Sequence, residues 1–287
     1  MRIGFMMKYD RERIEFAKRR GFRSLELMAD PGDGYFPGDS GWEGRADEAE
    51  AAFAEADLRI SCVAGFYVNH MDPATEKAAF DRVRGTIVLA KRLGVGVVAG
   101  FAGRIVNEPL EASLPGFKKL WGEHAKFAED HGIKIAFENC PMGNVGVPST
   151  GINLMCTPAI WEKAFNEVPS PALGLEWDPS HLIGLFVDPI PTLRQFGARV
   201  HHVHAKDAHV NTDLLARYGM GYPGVIEGCF PGLGDTDWGA AIKELRRQGY
   251  PNDLNIEGWH DHVYRGELED EGLVIGLRHL EQWVVQD

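Results

Sequence analysis

Residues 132–139 read Gly-Ile-Lys-Ile-Ala-Phe-Glu-Asn. A glycine closes the helical run before it, where a left-handed cap turns the chain back. A short, almost wholly apolar stretch follows, as expected of a strand buried on both faces of a parallel sheet. It ends abruptly in an acid. Working outward, the same unit recurs. Strands are predicted at 2–6, 24–28, 59–64, 96–100, 134–138, 173–178, 200–205 and 254–257. Helical periodicity lies between them, at 10–20, 43–57, 74–93, 116–131, 158–168, 179–187 with 191–196, 238–248 and 269–283. Gly21, Gly94, Gly132 and Gly249 each stand between a helix and the next strand.

Eight β/α units without a linker or a shift in composition predict an α/β chain with one domain over 1–287, a single (β/α)8 TIM barrel. An open doubly wound sheet is disfavoured, because no Gly-rich phosphate loop follows the first strand. The long loops follow strands two, five and seven, at 29–42, 139–156 and 206–237. In such a barrel the loops after the strands build the active face.

Composition narrows the partners. The chain is 44% hydrophobic and 25% charged, with a formal net charge of −12. That balance suits a globular protein and makes nucleic acid or an anionic membrane an improbable partner. Cys62, Cys140, Cys156 and Cys229 form no C-x-x-C pair and read as reduced thiols, which fits the cytoplasm. Residues 1–10 become charged too early for a secretory signal, and no apolar run is long enough for a membrane span. An acidic surface does not forbid a homo-oligomer.

Four strands finish on a side chain able to bind metal: Glu138, Asp178, His204 and Glu257. Each alone has an ordinary reading; Asp178, before Pro179 and Ser180, can simply cap a helix. Together, on one rim beside the imidazole, the three carboxylates would repel one another without a cation. The set suits one divalent ion, manganese foremost, with Mg, Co, Fe or Zn as alternatives.

The strand ends and the segments after them read Glu138-Asn139-Cys140-Pro141, Asp178-Pro179-Ser180-His181-Leu182, His202-Val203-His204-Ala205-Lys206-Asp207, Pro231-Gly232-Leu233-Gly234-Asp235, Asp237-Trp238, Gly249-Tyr250 and Ile256-Glu257. In these pieces the chain resembles the xylose-isomerase-like barrel superfamily of sugar and sugar-phosphate isomerases and epimerases, related to endonuclease IV. The pieces fall in family order across residues 130–260. The first third matches only in style, through Gly21-Phe22 and Leu25-Glu26-Leu27.

The resemblance implies that Glu138, Asp178, His204 and Glu257 hold the metal, with Glu138 and Glu257 also the acid/base pair. It implies that His181 touches substrate oxygen or a second metal. His202 shares the strand parity of His204 and backs it from one layer deeper. Lys206 is a candidate for a substrate oxygen. Phe66, Tyr67, Phe101 and Trp259 are candidates for an apolar wall, with Phe66 and Trp259 preferred; Trp177 should point away from Asp178. His70, with Asn69, and Arg104 and Arg217 are further substrate candidates.

The implied chemistry is isomerisation or epimerisation of a keto-sugar or polyol, by proton transfer through a metal-stabilised enediolate. A metal-dependent lyase or dehydratase acting on an inosose- or dehydroshikimate-like compound shares the first step. A phosphodiesterase like endonuclease IV would need further histidines at strands three and four, yet strand four ends Val98-Ala99-Gly100. A non-catalytic sugar-binding barrel is the remaining alternative.

Overall fold

The structure, a computed structural model, describes residues 1–285; residues 286 and 287 of the expected 1–287 span lie outside the described residues. Eight parallel strands close into a barrel: β1 (Ile3–Lys8), β2 (Ser24–Met28), β3 (Arg59–Phe66), β4 (Val97–Gly100), β5 (Lys134–Glu138), β6 (Leu173–Trp177), β7 (Val200–Ala205) and β10 (Leu254–Ile256). Their order is β1-β10-β7-β6-β5-β4-β3-β2, and β2 pairs again with β1. The helices on the outside are α1 (Arg11–Arg20), α2 (Trp42–Ala56), α3 (Glu76–Arg92), α4 (Leu114–His131), α5 (Pro158–Glu167), α6 (Pro179–Gly184), α7 (Pro189–Phe196), α9 (Trp238–Arg247) and α10 (Glu269–Leu280). All eight expected strands are present, and the four glycines flagged as helix ends take positive φ: 96° at Gly21, 66° at Gly94, 70° at Gly132 and 72° at Gly249.

One stretch differs from expectation. The loop at 206–237 contains an antiparallel ribbon, β8 (Asp207–Val210) with β9 (Ile226–Cys229), and a short helix α8 (Thr212–Tyr218). These strands are four residues each and only partly apolar, so they carry little periodic signal. The helical stretch after β6 comes in two pieces, as the expected 179–187 with 191–196 has it: Phe186 adopts φ 57° and the Asp188 side chain caps the second helix at Ile190 N.

The main apolar core lies outside the barrel, between strands and helices. There Trp121 on α4 packs against Phe66, Phe117 and Phe137, and donates Nε1–H to Ala102 O at 2.9 Å. Burying each such aromatic contributes roughly 1.5–3 kcal/mol. The barrel interior is different. Its small apolar patch of Cys62, Ala99 and Ala136 is separate from the main core and surrounded by buried polar groups such as Glu26, Glu176, His202 and His204. The sequence reading expects an apolar interior; the small side chains on β3, β4 and β5 instead leave room for large polar ones from β2, β6 and β7. Among the described residues no helix is long and apolar enough to cross a membrane.

Two buried histidines, His70 and His124, pack on Trp121, each with its ring centroid 5.2 Å away. Burial pulls His70 down to about 4 and His124 down to about 3. Both are neutral in the fold, whereas the unfolded chain protonates them near the ordinary value. Their stabilisation is therefore complete above pH ~6.5 and declines as pH falls toward the folded values. Each should forfeit about 2 kcal/mol between pH 7.5 and 5. Urea unfolding across that range should show a pH slope shallower by one proton in His124→Phe; an unchanged slope would refute the assignment.

Candidate metal centre and substrate cavity

Strand alternation brings the four proposed ligands together. Glu138 ends β5, Asp178 follows β6, His204 lies in β7 and Glu257 follows β10, and each has its inward-facing neighbour two residues earlier. One ligand atom from each lies within 4.8 Å of the others. His204 Nδ1 stands 3.5 Å from Glu138 Oε1 and 3.3 Å from Glu257 Oε2. All four side chains are buried, the most exposed being Glu257 at 7%.

The strand ends are fixed by local bonds. The Asn139 side chain accepts from Asp178 N at 2.7 Å and donates to Asp178 O at 2.8 Å, so the β5–β6 pairing continues one step past the ladder. Asn153 donates to the carbonyls of Glu138 and Cys140 and holds the long β5 loop against them. Asp178 stands where both roles its sequence suggests would put it. Its Oδ1 accepts from Ser180 N at 2.8 Å and caps α6, while Oδ2 faces the cluster. Past β7, Asp207 accepts from Gly232 N, Thr236 N and Oγ1, and Trp238 Nε1, which folds residues 231–237 around one carboxylate. Position 234 must be glycine there: a Cβ would come within 2.4 Å of Asp207 Oδ1.

The orphan atoms of this region test whether a cation fits. Asp178 Oδ2, His204 Nδ1 and Glu257 Oε2 are buried and without a hydrogen-bond partner. Leaving such groups unpaired costs about 1–3 kcal/mol each. All three belong to the four-residue cluster, and the donor set of hard oxygens with one imidazole is that of a divalent cation.

Basic side chains of the protein flank the cluster. His181 Nε2 lies 3.2 Å from Glu138 Oε1 and 3.3 Å from Asp178 Oδ2. Lys206 Nζ and His260 Nε2 lie 3.2 and 3.3 Å from Glu257 Oε1. Burial pushes the Glu138 carboxyl up, but its histidine neighbours, chiefly the hydrogen bond from His181, prevail and leave it below the usual value. For Glu257 burial is likewise outweighed, chiefly by the Lys206 charge, and the group sits well below its usual range. At Asp178 burial prevails over His181 and Lys206, and the carboxyl is raised. Burial opposes the charge on Lys206, but Glu257 and Asp178 hold the ammonium above its usual value.

A cavity of about 240 Å³ opens over the cluster. Glu138, His181, His204, Lys206, Glu257 and His260 supply its polar side; Met6, Met28, Tyr67, Phe101, Met142 and Trp259 supply an apolar wall. Of the expected substrate contacts, His181, Lys206 and Trp259 line it, and His202 lies beneath His204 as expected.

Five expected contacts are elsewhere. Phe66 points outward, its ring against Trp121 in the layer between strand and helix, and its neighbour Tyr67 faces the cavity instead. His70 packs on the same tryptophan, with Nε2 at 3.1 Å from Phe66 O. Arg217 is exposed on α8 and covers the Tyr218 ring. Asn69 and Arg104 are structural too: Asn69 bonds the backbone of Arg104 and Met71, and the Arg104 guanidinium holds the carbonyls of Glu108 and Val145. Trp177 turns outward to Thr192, as its parity requires.

Sequence reading passed over His260, Met6, Met28, Met142, Glu26 and Glu176 as site residues. The two glutamates had a signal, since each is an acid in the middle of an otherwise apolar strand. The methionines and His260 had none, because only the closed barrel brings them over the cluster.

The chain belongs to the family described as xylose isomerase-like TIM barrel, whose model matches residues 14–283. The superfamily resemblance read from the strand-end motifs therefore holds. Among curated relatives, an uncharacterised protein, YfiH, of Bacillus subtilis (strain 168) is 35% identical over 159 residues, covering 51% of this chain and 46% of its own. An inosose dehydratase of Clostridium beijerinckii is 26% identical over 148 residues, covering 50% of this chain and 46% of its own. The chain thus spans about half the length of these relatives. Solved structures share the fold. A xylose isomerase domain protein from Planctomyces limnophilus has TM-score 0.76 at 17% identity, covering 98% of this chain and 96% of its own. An IolI protein with a binding zinc atom has TM-score 0.73 at 17% identity, with both chains fully covered. A D-psicose 3-epimerase from Clostridium cellulolyticum has TM-score 0.71 at 16% identity, covering 99% of each chain.

Replacing Asn139 with Ala should remove the reciprocal bonds to Asp178 and leave its buried backbone groups unpaired. A loss of about 2–4 kcal/mol is expected in urea unfolding; a change under about 0.5 kcal/mol would show that the pair does not hold the strand ends.

Proposed function

We propose that this chain is a metal-dependent isomerase or epimerase of a small keto-sugar or related polyol. The observation that carries the reading is the convergence of Glu138, Asp178, His204 and Glu257 within 4.8 Å, with three of their buried polar atoms unpaired. These residues would hold one divalent ion; the oxygen-rich set favours Mn²⁺ over softer-ligand metals, and Mg²⁺, Co²⁺, Fe²⁺ and Zn²⁺ are compatible with it. Once bound, such an ion supplies Lewis-acid polarisation of the substrate and stabilises developing negative charge.

The remaining chemistry belongs to the side chains. Glu138 and Glu257 come from different strands, and both are held ionised by neighbouring cations. Either can take a proton from the carbon next to a carbonyl, and its counterpart can return one. Epimerisation requires such a pair, because the proton leaves one face and arrives at the other. His181 and Lys206 offer N–H donors to substrate hydroxyls. Tyr67, Phe101 and Trp259 supply a wall against which a sugar ring can pack while water is displaced. The cavity is smaller than the ~300–1,000 Å³ of drug-sized ligand sites, in keeping with a single small molecule rather than nucleic acid or a membrane.

A dehydratase acting on an inosose-like ring is the second reading. It is favoured by Lys206, a buried ammonium beside Glu257 that can protonate a departing hydroxyl, and by the similarity to an inosose dehydratase. Both readings begin with the same proton abstraction.

Solvent-deuterium exchange, followed by NMR on metal-loaded protein with ketohexoses, ketopentoses and inososes, tests the proposal. Deuterium should enter at a carbon adjacent to the carbonyl, and Glu138→Gln or Glu257→Gln should slow exchange by about 10²–10⁴. Isomerised product supports the first reading and dehydrated product the second. Absence of exchange with every substrate would refute both for these compounds.

A further inference from the structure

Directly beneath the cluster, the barrel interior holds a second layer of buried polar groups. Glu26 lies at its centre. It comes from the middle of β2 and has no solvent exposure. It reaches across the interior to β7, three strands away around the barrel. Its Oε2 meets two imidazole nitrogens, His202 Nε2 and His204 Nε2, each at 3.1 Å.

These contacts determine where the protons are. An ionised carboxylate only accepts hydrogen bonds, so both Nε2 atoms act as donors. His202 supports this independently. Its Nδ1 lies 3.2 Å from Asn252 Nδ2, an amide nitrogen that only donates, which makes Nδ1 the acceptor and leaves the proton on Nε2. That proton also closes His202 to a cation, so this layer supports the centre above it and is not a second metal site. At His204, a proton on Nε2 leaves the Nδ1 lone pair free. Nδ1 is the orphan atom that faces Glu138 and Glu257. Glu176 cannot replace Glu26 here: its Oε2 is occupied by the Tyr67 hydroxyl at 2.8 Å, and its Oε1, although 3.2 Å from His204 Nε2, is not aligned for a hydrogen bond.

We propose that Glu26 is the positioning residue of the metal centre, holding His204 as its Nε2–H tautomer so that Nδ1 is presented to the cation. The proposal rests on the metal-binding reading above. A carboxylate behind a ligating imidazole fixes its tautomer and ring orientation and raises its basicity; losing such a partner weakens metal binding about 10- to 100-fold. Glu26 thereby acts from three strands away on a group at the barrel mouth, and it never touches substrate.

The test uses the full chain stripped of metal and titrated with Zn²⁺ or Mn²⁺ in competition with a chelator of known affinity. Glu26→Leu removes the acceptor and should weaken binding at least tenfold. Glu26→Gln keeps an accepting oxygen without the charge, and should fall between Glu26→Leu and the parent. Melting of the metal-free proteins controls for folding and should agree within a few degrees. Long-range ¹H–¹⁵N histidine spectra should show the Nε2–H tautomer of His204 in the parent and its loss in Glu26→Leu, which a merely structural role would not produce. A folded Glu26→Leu that binds within twofold of the parent overturns the proposal. If Glu26→Leu does not fold, Glu26→Gln binding within twofold does so. Failure of the parent to bind either ion overturns the metal reading and this proposal with it; parent binding matched by the variant overturns this proposal alone.

Discussion

Three carboxylates and an imidazole share a space under 5 Å across, and none of them is more than 7% exposed. In a low-dielectric interior this arrangement is tolerable only if each group is paired or a cation is present. Much of the surrounding structure answers that constraint. His181, Lys206 and His260 stand at the outer edge of the cluster, and each bonds a carboxylate. Glu26 supports it from inside through the two imidazoles of β7. Within the four-residue cluster, the three atoms left without hydrogen-bond partners are those a bound cation would take.

The same constraint accounts for an unusual division of the core. A (β/α)8 barrel is ordinarily filled by branched apolar side chains. Here those side chains lie mainly outside, between sheet and helices, while the inside carries two layers of polar groups. Small residues on one half of the barrel make this possible. Cys62, Ala99 and Ala136 leave the volume into which Glu26, Glu176, His202 and His204 extend from the other half. Stability is carried by the outer aromatic layer around Trp121, and the interior is reserved for the site.

The long loops close over this centre by similar means. Asp207 alone gathers four donors from residues 232–238, and Asn153 ties the β5 loop to the carbonyls on either side of Asn139. These buried polar side chains replace the backbone ladders that irregular segments lack. They are why a β5 loop rich in glycine and proline can still present Met142 at a defined place over the cavity.

The sequence by itself determined the repeating β/α unit, the barrel, and the four strand-end groups. Those follow from local rules: the apolar period of a buried strand, the left-handed glycine cap, and an acid or histidine where an apolar run stops. Asp178 shows how local and tertiary roles can coincide, capping α6 with one oxygen and facing the cluster with the other. What only the tertiary structure decided is which neighbours look inward past the strand ends. Phe66 and Tyr67 are adjacent and both aromatic, yet a register shift at the end of β3 sends the first to the helix layer and the second to the cavity. His70 and His260 are equally plain in the sequence, and only the closure of the barrel makes one a core residue and the other a partner of Glu257. Glu26, 178 residues from His204, becomes its partner because strand order and strand length set the distance across the barrel, and no local pattern encodes that distance.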